Sequence, residues 1–346
     1  MTTTALFPSE QRSKAAAMWL AVVALLIVAM VVVGGATRVT GSGLSITRWQ
    51  PVSGVIPPLS HADWERMFAL YRGTPQYRLI NDGMSLAQFR DIFWWEWAHR
   101  LLGRLLGVVF LVPFLVLLAA RRLPRRLIGP CVVLFALGAL QGLVGWWMVQ
   151  SGLEERTSVA PERLATHLGL ALLLLAAMVW TALEAWFGPA EPGKARGWRW
   201  ASGLFLAAVY IQCLLGALVA GNHAGLIDAD WPLMGGRVFP STYWRGSLWA
   251  TFVHGPAAAQ FNHRLWAYGL LLAGFALAAG SFTQWGRAFR PLALSIAGLL
   301  CVQVALGVAA LLLIVPLTLA MAHQFTAVTL LALATMLAWR ARRMVL

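Results

Sequence analysis

From Pro291 to Trp339 the chain runs without an Asp, Glu, Lys or Arg. One crossing of a bilayer needs only about 20 apolar residues, so this stretch has room for two. Pro316 is the expected break, because an interior proline removes an amide donor and clashes with the preceding turn. Six further apolar stretches can be read, at residues 15–36, 93–120, 127–149, 164–187, 200–221 and 252–280. The long run divides into 291–314 and 317–339. No alternation of apolar and polar positions, the mark of a membrane β-barrel, is present. Composition agrees, with 60% hydrophobic and 12% charged residues, against about one half and one quarter in soluble domains. The sequence predicts an all-α polytopic membrane protein with eight transmembrane helices.

The cations set the expected orientation. Arg12 and Lys14 precede the first span. The cluster Arg121, Arg122, Arg125, Arg126, then Lys194, Arg196, Arg199, then Arg287 and Arg290, and finally Arg340, Arg342 and Arg343 fall on the same side. Few acids accompany them (Glu10, Glu184, Glu191). On the opposite side Asp63, Glu65, Asp82, Asp91, Glu154, Glu155, Glu162, Asp228 and Asp230 mix with arginines. The positive-inside rule then makes both termini cytoplasmic. The net charge of +14 reads as a topology signal, and no soluble basic surface suggests nucleic acid. The first apolar run is too long for a signal peptide and no small-residue cleavage site follows it. No Arg/Ser-rich presequence precedes it, which favours a bacterial inner membrane. Cys131, Cys213 and Cys301 lie inside apolar spans without a spacing motif and read as small hydrophobic residues.

The halves of the chain resemble each other. GGATRVTGSGL (34–44) is echoed by GALVAGNHAGL (216–226), EWAHRLLG (96–103) by QFNHRLWA (260–267), QGLVGW (141–146) by QVALGV (303–308), and ATHLGLALLLLA (165–176) by AHQFTAVTLLAL (322–333). The order is the same in both halves. The expected architecture is two repeated four-helix bundles, residues 1–190 and 191–346, of like orientation.

Four histidines fall out of this repeat: His99, His167, His263 and His323. Each lies in the first turns of a span running inward, so all four are expected at similar depth near the outer, periplasmic face. Two imidazoles facing each other across a flat gap are a common haem site in four-helix bundles. Zinc fits less well, since each half offers two histidines and no Cys or Asp in register. Isolated, each histidine could equally bond a carbonyl or line a water pocket. His61 reads as a surface group, and His223 and His254, at helix–loop junctions of one half, as structural.

Glu96 stands one helical turn from His99, and its counterpart in the second half is Gln260, which cannot ionise. The two sites therefore differ by one proton-handling group, with an ion pair to Arg100 or Arg104 as the structural alternative for Glu96. Arg100, Arg104 and Arg264 beside the histidines are candidate partners for haem propionates, which a guanidinium matches bidentately; snorkelling to the interface is the competing reading. Trp49, Trp64, Trp94, Trp95, Trp97, Trp231, Trp244 and Trp249 read mostly as an interfacial belt.

Taken together, GGATRVTGSGLS, the Trp-Pro-Gly-Pro arrangement of residues 49–58, EWAHRLLGRLLG, QFNHR and the two later histidines resemble the haem A synthase family, from Thr37 to His323. Residues 49–100 are similar to its proteobacterial and mitochondrial branch. The resemblance implies oxidation of the C8 methyl of haem O to the formyl group of haem A, through two hydroxylations and loss of water, in support of cytochrome c oxidase assembly. It implies that His99 and His167, with Arg100, flank the substrate haem and that Glu96 is the essential acid. His263 and His323 would be the axial ligands of a permanently bound haem b. Haem O, haem O synthase as its source, an unidentified electron acceptor and the bilayer are the implied partners; a homo-oligomer is left open. Some bacterial members carry a cysteine pair in the first outer loop; here none lies between Thr37 and Asp91. Two other classes compete: a di-haem cytochrome b passing electrons from quinol, which needs no Glu96, and a transporter of repeated halves, which would want its Gly/Pro breaks at mid-membrane.

Overall fold

The computed structural model describes residues 12–154, 156–189, 196–284 and 286–343. Glu10, Glu155, Glu191 and Lys194, used above for orientation, lie outside them. The long helices are α1 (Lys14–Val39), α4 (Leu86–Ala119), α5 (Arg125–Glu154), α6 (Pro161–Phe187), α7 (Arg196–Gly221), α9 (Pro256–Gly280), α10 (Arg290–Leu312) and α11 (Leu317–Arg343). Short helices α2 (His61–Arg72), α3 (Pro75–Leu79) and α8 (Leu248–Phe252) decorate the connections. Among the described residues no strand forms.

Seven of these helices (α1, α4, α5, α6, α7, α10 and α11) are long and apolar enough to cross a membrane, and the chain is a multi-pass membrane protein. The sequence reading expected eight. The remaining segment does form a helix, but it divides at Val253–Gly255 into α8 and α9. α9 is 25 residues long, yet it opens with Gln260, Asn262, His263 and Arg264, and these polar side chains lower its apolar content.

Contacts link α1 with α4, α4 with α5, α5 with α6 and α6 back with α1. Likewise α7 meets α9, α9 meets α10, α10 meets α11 and α11 returns to α7. Pairs α6–α7, α1–α11 and α6–α11 join the two circuits. Their common apolar interior includes Leu20, Val23, Ile27, Leu172, Leu175, Leu331 and Leu337.

The break in the long uncharged run falls where Pro316 placed it. α10 stops at Leu312, and Ile314 and Val315 take φ of 60° and 54°. A β-branched residue in the left-handed region costs on the order of 1–3 kcal/mol. Packing of α10 on α11 must hold that turn in place. α4 begins about two turns before the expected residue 93, because Ser85 accepts from the Gln88 amide and Gln88 reaches back to the Ser85 amide. These added turns carry an aromatic cluster absent from the sequence reading. Trp64, Phe68, Tyr71, Phe89 and Phe93 are buried together. Trp64 meets Phe93 edge-on at 4.9 Å and is thus a core residue rather than part of a belt. Tyr71 donates to Gln76 (3.0 Å), and Gln76 donates to the Gly41 carbonyl (2.9 Å), tying this cluster to the loop that follows α1.

Candidate functional site

Each of the four repeat-related histidines lies against a glycine of a neighbouring helix. A methyl group on Gly34 of α1 would stand 2.8 Å from His99 Cε1 on α4; one on Gly145 of α5, 2.8 Å from His167 Cε1 on α6; one on Gly216 of α7, 3.2 Å from His263 Cε1 on α9; one on Gly307 of α10, 2.8 Å from His323 Cε1 on α11. At Gly34, Gly145 and Gly307 a Cβ would force the ring to shift, and at Gly216 the contact would be tight. His99 sits in the fourth turn of α4 rather than its first turns, since that helix starts early; the other three lie within the opening turns of theirs.

Glutamines attend three of the four rings. Gln141 Nε2 donates to the His167 carbonyl (2.9 Å) and lies 3.2 Å from its Nδ1. Gln212 Nε2 donates to the His263 carbonyl (3.1 Å) and lies 3.2 Å from its Nδ1. Gln303 Nε2 lies 3.2 Å from His323 Nε2, and the Gln303 carbonyl faces His323 Nδ1 at 3.1 Å. These residues were not singled out by the sequence reading as site residues. Their signal was present: QGLVG (141–145), QCLLG (212–216) and QVALG (303–307) repeat a Gln and a Gly one turn apart, and MVVVG (30–34) holds the fourth place. The i, i+4 spacing puts both on one face, so the glycine admits the ring and the amide touches it.

His263 and His323 are brought together, ring centroids 6.4 Å apart and planes at 68°. A first-row metal bonds an imidazole nitrogen at about 2 Å, with the ring centroid roughly 1 Å further on, so two opposed bonds would set centroids about 6 Å apart. The separation matches that spacing, while the ring nitrogens of His263 and His323 meet Gln212 and Gln303 in this structure. Among the described residues no three His, Cys, Asp or Glu side chains gather as a metal cluster; a porphyrin, which brings four nitrogens of its own, needs only the two axial ligands. His99 and His167 stand on α4 and α6, both packed on α1.

Glu96 is 2% exposed. Its Oε2 accepts from the Ser45 hydroxyl (2.7 Å) and the Ile46 amide (2.8 Å), and its Oε1 from Arg100 Nη2 (2.6 Å). Arg100 also donates to the carbonyls of Ile46 (2.7 Å) and Arg48 (3.2 Å). The pair thus bolts α4 to the loop after α1, so the ion-pair alternative for Glu96 does form. Gln260, 4% exposed, does the same work in the second half. Its Nε2 donates to the carbonyls of Ala224 (2.8 Å) and Ile227 (2.9 Å), and its Oε1 accepts from Arg264 (3.0 Å). The first loop presents donors and requires an acceptor at position 96. The second presents acceptors and requires an amide at 260. Breaking such a buried pair by removing one partner costs on the order of 3–5 kcal/mol.

Arg264 further donates to the carbonyls of Asp228, Asp230 and Leu233. Arg104 donates to Pro51 and Gln50 carbonyls, both at 2.8 Å, yet its Nη1 is buried without a partner, as are His99 Nδ1 and Trp97 Nε1. Two unpaired buried donors, Trp97 Nε1 and Arg104 Nη1, with the unpartnered His99 ring nitrogen between them, suit a polar ligand. His61 is exposed, 3.9 Å from Glu65. His223 meets Arg38 at 2.8 Å and His254 meets Glu162 at 3.8 Å, each contact joining the two circuits. The cysteines are free thiols.

An all-helical, multi-pass membrane protein with glycine-seated imidazoles in repeat order is the class that fold and site define. The chain belongs to the cytochrome oxidase assembly protein family, whose model matches residues 17–335. It is 53% identical over 339 residues to the heme A synthase of Caulobacter sp. (strain K31), covering 97% of this chain and 99% of the relative. To the heme A synthase of Maricaulis maris (strain MCS10) it is 44% identical over 340 residues, 98% and 99% of the two chains. To that of Bradyrhizobium sp. (strain ORS 278) it is 46% identical over 343 residues, 96% and 93%.

Proposed function

We propose that this chain is a haem A synthase of a bacterial inner membrane, converting haem O to haem A by oxidation of the C8 methyl group. The observation that carries the reading is the set of four imidazoles, each fitted against a glycine, with one pair at the separation that two axial bonds impose. In this reading residues 1–190 and 191–346 are two repeated four-helix bundles, α9 completes eight spans, both termini are cytoplasmic and the imidazoles lie toward the periplasm. His263 and His323 hold a haem b for electron transfer; His99 and His167 hold the substrate. Bound haem supplies redox chemistry at iron. The protein's part is to place the rings, exclude water and manage a proton.

Glu96 is the group for that proton. Its Oε1 is committed to Arg100, whereas Oε2 faces the rotatable Ser45 hydroxyl, through which a proton can pass. Arg104, with a free Nη1, is the better placed of the arginines for a propionate. All three arginines serve loop carbonyls, and Arg104 alone of them keeps a buried Nη1 without a partner. A di-haem electron carrier would use the same histidines but oxidise no methyl group.

The test is product formation. Membranes making haem O but no haem A, given this chain, are extracted and their haem masses determined. Haem A is expected, and its loss in Glu96→Gln with haem b retained is expected as well. Haem O left unchanged by a haem-loaded protein overturns the synthase reading; undiminished haem A in Glu96→Gln removes Glu96 from it.

A further inference from the structure

Between Trp49 and Ser60 the chain carries no Asp, Glu, Lys or Arg. Its large apolar side chains nevertheless face outward: Val52 is 83% exposed, Leu59 80% and Ile56 68%. The segment is bound to the spans. Arg104 Nε and Nη2 donate to the carbonyls of Pro51 and Gln50, both at 2.8 Å, and hold it along α4. A Cβ on Gly54 would stand 2.8 Å from Arg104 Nη2, so the segment lies close on the guanidinium. Trp49 packs on Trp146 of α5, ring centroids 6.3 Å apart. Arg104 stands 15 residues before Ala119, the end of α4, or about 22 Å along the axis at 1.5 Å per residue. The hydrocarbon core of a bilayer is about 30 Å thick, and an arginine side chain stretched outward ends near its boundary. Val108, one turn from Arg104 on the same face, and Trp146 are exposed on the spans themselves, so the segment continues their apolar surface.

Backbone away from water must satisfy its own polar groups. Here the amides of Gly54, Val55 and Ile56 bond back to the carbonyls of Gln50 (3.2 Å), Val52 (3.4 Å) and Ser53 (3.3 Å). Pro51, Pro57 and Pro58 have no N–H to satisfy. A charge-free segment with its aliphatic side chains turned out and its backbone mostly paired inward suits lipid. We propose that residues 49–59 insert into the bilayer leaflet bordering the His99 end of the first-half spans, with Val52, Ile56 and Leu59 among the acyl chains and Trp49 at the level of the headgroups. The occupant of this surface is phospholipid. Its grip fixes the depth of the segment that Arg104 holds against α4. The inference stands on the membrane fold alone and holds whether or not the chain binds haem.

Full-length protein in vesicles of phosphatidylethanolamine and phosphatidylglycerol tests this. In a background with Cys131, Cys213 and Cys301 changed to alanine, Val52→Cys, Ile56→Cys and Arg66→Cys each carry one environment-sensitive nitrobenzoxadiazole label. Arg66, on the charged surface of α2, is the water-facing reference. The labels at 52 and 56 should emit at shorter wavelength than the label at 66, and lipids brominated on the acyl chain should quench them several-fold more strongly. Should the cysteine-free background fail to fold, wild-type protein is photolysed with a phospholipid bearing a diazirine in its acyl chain, and adducts are expected on residues 49–59. Labels at 52 and 56 that aqueous iodide quenches as it does the label at 66 overturn the inference. Labels shielded from iodide and brominated lipid alike also overturn it, in favour of a protein partner. So does a wild-type chain photolabelled on its spans and not in residues 49–59.

Discussion

Gly307 and Gly142 lie on comparable apolar helices, but a methyl group on Gly307 would stand 2.8 Å from the His323 ring while one on Gly142 would meet nothing within 4 Å. An exposed helical Gly→Ala change is ordinarily favourable by up to about 1 kcal/mol. Gly142→Ala should leave the haem spectrum unchanged and thermal stability equal or raised. Gly307→Ala should displace His323 and lower the haem content of the purified protein several-fold; equal haem content in the two variants would remove the glycine seats from the account. The histidines and Glu96 were legible because polar groups stand out in apolar spans. The glycines and glutamines were not, although they sit at regular spacing, because Gly is common in membrane helices and Gln141 and Gln303 read only as repeat markers. The Glu96/Gln260 difference was seen, but its geometric cause was hidden. Whether a loop turns amides or carbonyls toward a helix is decided by backbone conformation, which no residue type at 45–46 or 224–227 announces.

At the scale of elements, the spans were readable from apolar run length, and their ends were not. Ser85 and Gln88 extended α4 into the aromatic cluster, and the polar opening of α9 set it apart from the other long helices. The contact between the end of α1 and the turn after α7 was also invisible in the sequence. There Arg38 donates to the Ala220 carbonyl (2.7 Å) and faces His223 Nε2 (2.8 Å). Partial burial, and then the neighbouring Arg38 charge, hold the His223 imidazole below its ordinary pKa of 6.5. A base with a depressed pKa in the folded state is protonated more readily once the contact opens. The contact thus contributes fully above about pH 6.5 and weakens as pH falls below it. The opening equilibrium of residues 221–228, read from hydrogen exchange after division by the base-catalysed intrinsic rate, should rise as pH falls from 7.5 to 5.5, and His223→Gln should flatten that rise; a pH-independent opening equilibrium in the wild type would contradict the assignment.

Across the whole molecule, the two circuits are joined close to the histidines. Gln324, next to His323, donates to the Val31 carbonyl of α1 at 3.0 Å, one turn of chain from the glycine that receives His99. The packing of α1 and α6 on α7 and α11 depended on side-chain fit beyond the reach of the sequence pattern. The central claim is that opposed imidazoles hold haem. It is tested by the absorption and low-temperature spin-resonance spectra of the full-length protein, purified with ample haem supply, beside those of His263→Ala. A low-spin, bis-imidazole haem B signal that disappears in His263→Ala is the predicted result. A colourless wild type, or a signal that survives the substitution, would contradict it.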